Sequence, residues 1–217
     1  INNAQIDDLA GASFVFDGQV EFVSQQLQLA LNFDVDSRQP DRLAALLDLQ
    51  SELLYKRLGA VILRGRATGR LSDLEIDAAI EGAGGRINLL LPVNMFEQRL
   101  SAPAELILEH PEISSVINLL IPEHPMGRQL LGPGQLSVQL DPVAVDRFAV
   151  AVEMQAIDAE ITARGHMRPL NDPVTFNMAL LFDHPDGAAF IRRLLPSHNL
   201  PGRDPQALSF EGQLIGD

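Results

Sequence analysis

A segment repeated at long range constrains this chain more than any other feature. FDHPDGAAFIRRLLP occupies residues 182–196 and LEHPEISSVINLLIP occupies 108–122, so that Pro111 and Pro185 stand 74 residues apart. A looser copy, FDVDSRQPDRLAALL, covers 33–47, with Pro40 lying 71 residues before Pro111. Self-similarity at a fixed period implies a repeated supersecondary unit. Stacked units of that kind present extended surfaces more readily than closed active sites.

Each copy reads as a strand, a turn and a short helix. Proline costs little at the first helical position, where its missing N–H would be unpaired anyway. The acid that follows, Asp41, Glu112 or Asp186, is then expected in the first turn, at the positive end of the helix dipole. Apolar residues recur at helical spacing in all three: Leu43, Leu46, Leu47 and Leu54; Ile113, Val116, Ile117, Leu120 and Ile121; Phe190, Ile191, Leu194 and Leu195. Leu120 and Leu194 are expected to pack on a sheet. Pro122 and Pro196 stop the second and third helices. The first is expected to continue through LQSELLYKRLG to a break at Gly59.

Most of the remaining chain alternates with period two. Residues 4–10 read as a helical turn, and ASFVFDGQVEF (12–22) as a strand pair or one strand kinked at Gly18. LQLALNF (27–33) places Leu27, Leu29, Leu31 and Phe33 on one face. Residues 60–82 form a hairpin about Gly69-Arg70, with Leu74, Ile76, Ala78 and Ile80 on one side. RINLLLPV (86–93) and SAPAELILE (101–109) add strands, separated by NMFEQRL, a loop with an apolar tip. QLSVQLD (135–141), AVDRFAVAVEM (144–154), IDAEITARG (157–165), PVTFNMALLFD (173–183) and QALSFEGQLIG (206–216) complete the set. The expected fold is α+β: repeated antiparallel units of about four strands, each with one short helix on its apolar face, in a sheet that can curve into a groove. The expected repeats are 1–58, 59–131 and 132–205, with 206–217 opening the next, all within one elongated β-rich piece of a longer protein.

Charge and composition exclude several function classes. The formal net charge is -13, and Lys56 is the only lysine. A nucleic-acid surface needs a basic stripe, and so does an anionic bilayer face. With no cysteine in the chain, disulfides and thiolate metal sites are impossible. No run reaches the roughly 18 apolar residues of a membrane helix, and no leader pattern opens the chain. The ends INNAQIDDLAG and FEGQLIGD look like cuts through a longer protein, so membrane anchoring is expected only through parts outside this piece.

Candidate chemistry is sparse. His110 and His184 sit at equivalent repeat positions beside Glu109 and Asp183. Neighbours at a strand end point to opposite faces, which favours a polar residue at a helix start over a metal ligand. Asp73, Glu75 and Asp77 share one strand face; a paired-acid hydrolase or a Ca²⁺ site would need such clustering, but a solvated outer face explains it more simply. No nucleophile elbow or phosphate loop appears. No catalytic residue, metal ligand or cofactor is expected, and the chain reads as non-enzymatic.

FNMALLFDHPDGAAFIRRLLPSHNLPGRDPQALSFEGQLIGD (176–217) resembles the repeated segments of the AsmA family: an apolar strand, a short helix ending near Leu-Leu, a Pro/Gly-rich loop, and a strand with a pattern such as FEGQLIGD. LRGRATGR (63–70) shares the two glycine positions, and QLSVQLDP (135–142) lacks both. Family members are generally anchored in the inner membrane of Gram-negative bacteria, extend into the periplasm, and are similar to bridge-like lipid-transfer proteins. The resemblance implies a role in envelope lipid homeostasis and outer-membrane biogenesis, on the periplasmic side of the inner membrane, with phospholipid or another acyl lipid as partner. The candidate lipid-binding residues are Phe148, Val150 and Val152 on one strand and Phe176, Met178 and Leu180 on another. The alternative is an interaction scaffold whose sheet face is fully covered and holds no ligand.

Overall fold

In the computed structural model the described residues are 3–23, 25–46, 57–120, 131–168, 174–194 and 207–216. In chain order they form β1 (Ala4–Leu9), β2 (Ala12–Val23), β3 (Gln26–Ser37), α1 (Pro40–Leu46), β4 (Val61–Arg70), β5 (Asp73–Gly82), β6 (Gly85–Asn94), β7 (Arg99–Leu100), β8 (Ala104–His110), α2 (Ile113–Leu120), β9 (Gly134–Ala144), β10 (Arg147–Ala156), β11 (Ala159–Arg168), β12 (Thr175–His184), α3 (Gly187–Leu194) and β13 (Leu208–Gly216). The hydrogen-bonded order is β1-β2-β3-β4-β5-β6-β8-β9-β10-β11-β12-β13, with β7 on β6, which makes one open 13-stranded sheet. The chain divides into two compact units, 1–108 with 119–122, and 109–118 with 123–217.

This corrects the α+β expectation of repeats each carrying a helix. Among the described residues strand accounts for 69% and helix for 12%, so the fold there is a mostly antiparallel β-sheet with three short helices. Length explains the difference. An eight-residue helix such as α2 or α3 is about 12 Å long, whereas a ten-residue strand such as β10 or β12 spans about 33 Å. Over the described residues, helices of that length reach one end of the sheet and form no second layer on it.

The repeat period reappears in the element starts. β5 begins at Asp73 and β10 at Arg147, β6 at Gly85 and β11 at Ala159, α2 at Ile113 and α3 at Gly187. Strand-then-helix order holds at β8–α2 and β12–α3, and also at β3–α1. Three local expectations change. Residues 4–9 are extended and pair with β2, not a helical turn. Residues 12–23 form one strand in continuous register with β3, bent at Gly18 (φ 148). The β4–β5 hairpin turns at 71–72, just past Gly69-Arg70. Residues 47–56 lie outside the described residues, as do the side chains of Leu120 and Leu194. Gly59 has the left-handed φ of 69 that a helix end favours.

The helix starts differ from the simple first-turn rule. Asp41 does lie in the first turn of α1. Glu112 and Asp186 immediately precede α2 and α3 and cap them. The Asp186 carboxylate accepts the Ala189 N–H at 2.9 Å. The Glu112 carboxylate accepts the Ser114 hydroxyl at 2.7 Å and the N–H groups of Leu131 at 2.8 Å and Gly132 at 3.0 Å, tying the helix start to the approach of β9. These bonds, that from Ser114 foremost, hold the Glu112 carboxyl below its ordinary value of 4.5. A depressed carboxyl contributes stability above its unfolded pKa and loses it as pH falls through the folded one. Glu112→Gln is therefore expected to melt lower than wild type at pH 7, with the gap closing below about pH 4.5. A gap that persists undiminished at pH 3 would refute this.

The two strand-end histidines are structural. His110 and His184 are buried, and each Nδ1 accepts the backbone N–H two residues on, from Glu112 and Asp186 respectively, at 2.9 Å. His184 Nε2 donates to the Ile157 carbonyl oxygen at 2.9 Å, and its ring lies 4.9 Å from that of Phe190. Removing a buried partner leaves donor and acceptor unsatisfied, so His184→Ala is expected to cost about 2–3 kcal/mol. His166→Ala, exposed on β11, should stay within about 0.5 kcal/mol. Chemical denaturation of both variants checks this; equal midpoints would refute it.

Candidate functional site: an apolar sheet face

Register converts alternation into a surface, because directly paired residues of an antiparallel sheet point to the same side. The six candidate residues fall on one face of the second unit, in three successive rows. Phe148 on β10 pairs with Met167 on β11, which pairs with Phe176 on β12. Val150 pairs with Gly165 and Gly165 with Met178, while Val152 pairs with Ala163 and Ala163 with Leu180. The rows extend outward to Pro142, Leu140 and Val138 on β9 and to Gly216, Leu214 and Gly212 on β13. A fourth row is Leu136, Met154, Ile161, Phe182 and Phe210. The opposite face carries Gln139, Arg164 and Gln213, and Ser137, Glu153, Thr162 and Glu211.

The described helices meet this face only at one end. Ile113, Val116 and Ile117 of α2 pack with Leu131, Met154, Ala156 and Ile157. Phe190 of α3 meets Phe182, with ring centroids 4.9 Å apart. Towards the other end, Phe148, Val152, Phe176, Met178 and Leu180 are half-buried, and Val150 is buried at 7% exposure. Side chains on neighbouring strands shield one another without closing the surface. At the β13 side Leu214 is 41% and Phe210 56% exposed.

Two glycines shape the rows. A Cβ on Gly165 would lie 2.0 Å from the Asn177 carbonyl oxygen and 2.6 Å from the Met178 Cα, so β11 and β12 approach there as only glycine permits. Gly216 is covered by the ring of its paired Phe176, the way an aromatic neighbour compensates a strand glycine. Beyond the first row, at the strand ends, lies a depression of about 520 Å³ lined by Phe176 and Met167 together with Arg147, Arg168, His166 and Thr175. Arg168 is 3.7 Å from Asp146.

The first unit builds a like face. Phe16, Phe33, Gly65, Ala78 and Leu89 make one row, and Gly18, Leu31, Ala67, Ile76 and Leu91 the next. The acids singled out on β5 lie on its polar side: Asp73 opposite Arg70, Glu75 opposite Thr68 and Asp77 opposite Arg66, the solvated arrangement. Met95 and Phe96, at 51% and 74% exposure, form the apolar tip before β7.

Sequence reasoning found two strands of the face and missed the three beside and between them. Met167, Gly165 and Ala163 join the two triplets, and period two in 157–165 and 206–216 was the available signal. Among the described residues no group of three or more His, Asp or Glu side chains could hold a metal ion, and no helix is long and apolar enough to cross a membrane. No family model, curated protein or solved structure matches this chain.

Proposed function

We propose that this chain is a non-enzymatic segment of an AsmA-like envelope protein that binds or conducts phospholipid along an apolar sheet face. In this reading it lies on the periplasmic side of a Gram-negative inner membrane, with anchoring supplied by parts of the parent protein outside this chain. The observation that carries the proposal is the contiguous apolar face of β9–β13, on which Phe148, Val152, Phe176, Met178 and Leu180 are half-buried around a buried Val150. Contiguous exposed apolar surface on a protein of this charge calls for a ligand or partner. Flexible Met and Leu side chains suit acyl chains of variable length. The covered-scaffold reading draws on Val150 and on the α2 cluster, which close part of the same face.

Native mass spectrometry of the purified chain is expected to show co-purified phospholipid. Met178→Asp and Leu180→Asp place a charge among half-buried side chains, where it can stay hydrated. Both should fold and lose fluorescent-phospholipid binding by at least about tenfold. Folded variants that bind as wild type would refute the site, and a wild-type chain that binds no phospholipid would refute the function.

A further inference from the structure

His184 is a buried titratable side chain whose two ring nitrogens both bond main chain. Nδ1 accepts the Asp186 N–H and Nε2 donates to the Ile157 carbonyl oxygen, each at 2.9 Å. A main-chain N–H only donates and a carbonyl only accepts, so this pair of bonds admits the neutral ring with its proton on Nε2. The imidazolium carries a proton on each nitrogen and would turn its second N–H against that of Asp186. The charged groups on the elements meeting at this corner favour that charged form. They are Asp186 at the start of α3, Asp158 in the β10–β11 turn, Asp183 on β12, Glu160 on β11 and Arg192 on α3, all exposed. β13 brings Leu208 opposite His184. Asp183 and Glu160 pair with each other on the far face of the sheet. Carboxylates thus outnumber the guanidinium and draw a proton to the corner, while the closed geometry leaves no acceptor-free nitrogen to take it.

We propose that His184 is an acid-operated latch: proton uptake at Nδ1 breaks its bond to the Asp186 N–H and releases the start of α3 from the end of β12. The latch fixes a small set of contacts. The Asp186 carbonyl accepts the Phe190 N–H at 3.0 Å and its carboxylate accepts the Ala189 N–H at 2.9 Å. The Phe190 ring lies 4.9 Å from the rings of both Phe182 and His184. Release therefore frees Phe190 and uncovers Phe182 at the end of the fourth apolar row. The direction follows from proton counting: the released corner binds one proton more than the closed one, so acid favours release. Histidine changes charge in mild acid, where exposed carboxylates stay ionised. His110 makes the same Nδ1 bond to the Glu112 N–H before α2. The latch needs no ligand on the apolar face, and none enters its test.

Amide hydrogen exchange of the 217-residue chain tests this, read as protection factors so that the intrinsic pH dependence of exchange cancels. Protection at Asp186, Ala189 and Phe190 is expected to fall by at least about tenfold between about pH 7.5 and 5.5, while Val150 in the middle of β10 keeps its own. His184→Asn puts an amide oxygen near the place of Nδ1, where it can accept the Asp186 N–H but cannot titrate. That variant should start from lower protection, having lost the bond to Ile157, and then stay flat over the same range. Nitrogen-15 spectra of the wild-type imidazole give a second readout if His184→Asn fails to fold: the change from the Nε2–H form to the imidazolium should track the loss of protection. Wild-type protection that holds at the three amides down to pH 5.5 overturns the latch. So does an imidazolium that forms with protection intact, or a His184→Asn chain that loses protection as steeply as wild type.

Discussion

Val150→Asp is expected to unfold the second unit or lower its melting temperature by about 10–15 °C. Val150 is 7% exposed and lies between Leu140 on β9 and Gly165 on β11, with no cation on its face of either pair. A carboxylate there loses water and gains no partner, at a cost of about 3–5 kcal/mol. That is a large share of the 5–15 kcal/mol that holds a typical domain together, and for a chain of this size each kcal/mol moves the melt by about 2–4 °C. Val150→Ala removes two methyl groups without adding charge and should cost roughly 1–2 kcal/mol. A Val150→Asp melt within 2 °C of wild type would show that water reaches this position. The contrast with Met178→Asp matters, because Met178 lies in the same row across Gly165 and is half-buried. One position reports on the core under the face and the other on the face itself.

Gly165→Ala is expected to cost about 2–3 kcal/mol, because the added carbon meets backbone and not a side chain that could swing aside. A methyl group that close to the Asn177 carbonyl oxygen forces either β11 or β12 to shift, and β12 carries the candidate residues Phe176, Met178 and Leu180. Gly59→Ala provides the comparison: among the described residues nothing lies within 4 Å of a Cβ built there, which leaves the left-handed backbone penalty of about 1 kcal/mol. Denaturant titration of the two variants should separate them clearly. Equal destabilisation would mean that close approach at Gly165 relaxes freely.

The period and the polarity of the strands were legible in the residues alone. Alternation places Phe148, Val150 and Val152 on one side because successive strand residues point to opposite faces, and this holds whatever the neighbouring strand. The corner His-Pro-acid pattern likewise marked a helix start from local bonding alone. Register was not legible, because a strand pairs with its neighbour through backbone groups common to every residue, and only the whole face decides which slip is best. The class was misjudged for a related reason: apolar spacing at three corners announces helices, but does not weigh them against the strands that make up 69% of the described structure.

One turn shows where tertiary structure overrides local preference. Ile157 and Asp158 turn the β10–β11 hairpin with φ of 58 and 60, a conformation that local preference assigns to Asn or Gly. Nothing in QAIDAE announces it, since a β-branched residue at positive φ is costly in isolation. The cost is met by contacts distant in sequence. Ile157 is 9% exposed in the cluster with Ile113 and Leu131, and its carbonyl receives the His184 proton from the end of β12. Local chemistry set what each segment prefers; the burial of Ile157 by α2 and its bond from His184 decided where the chain could turn against that preference.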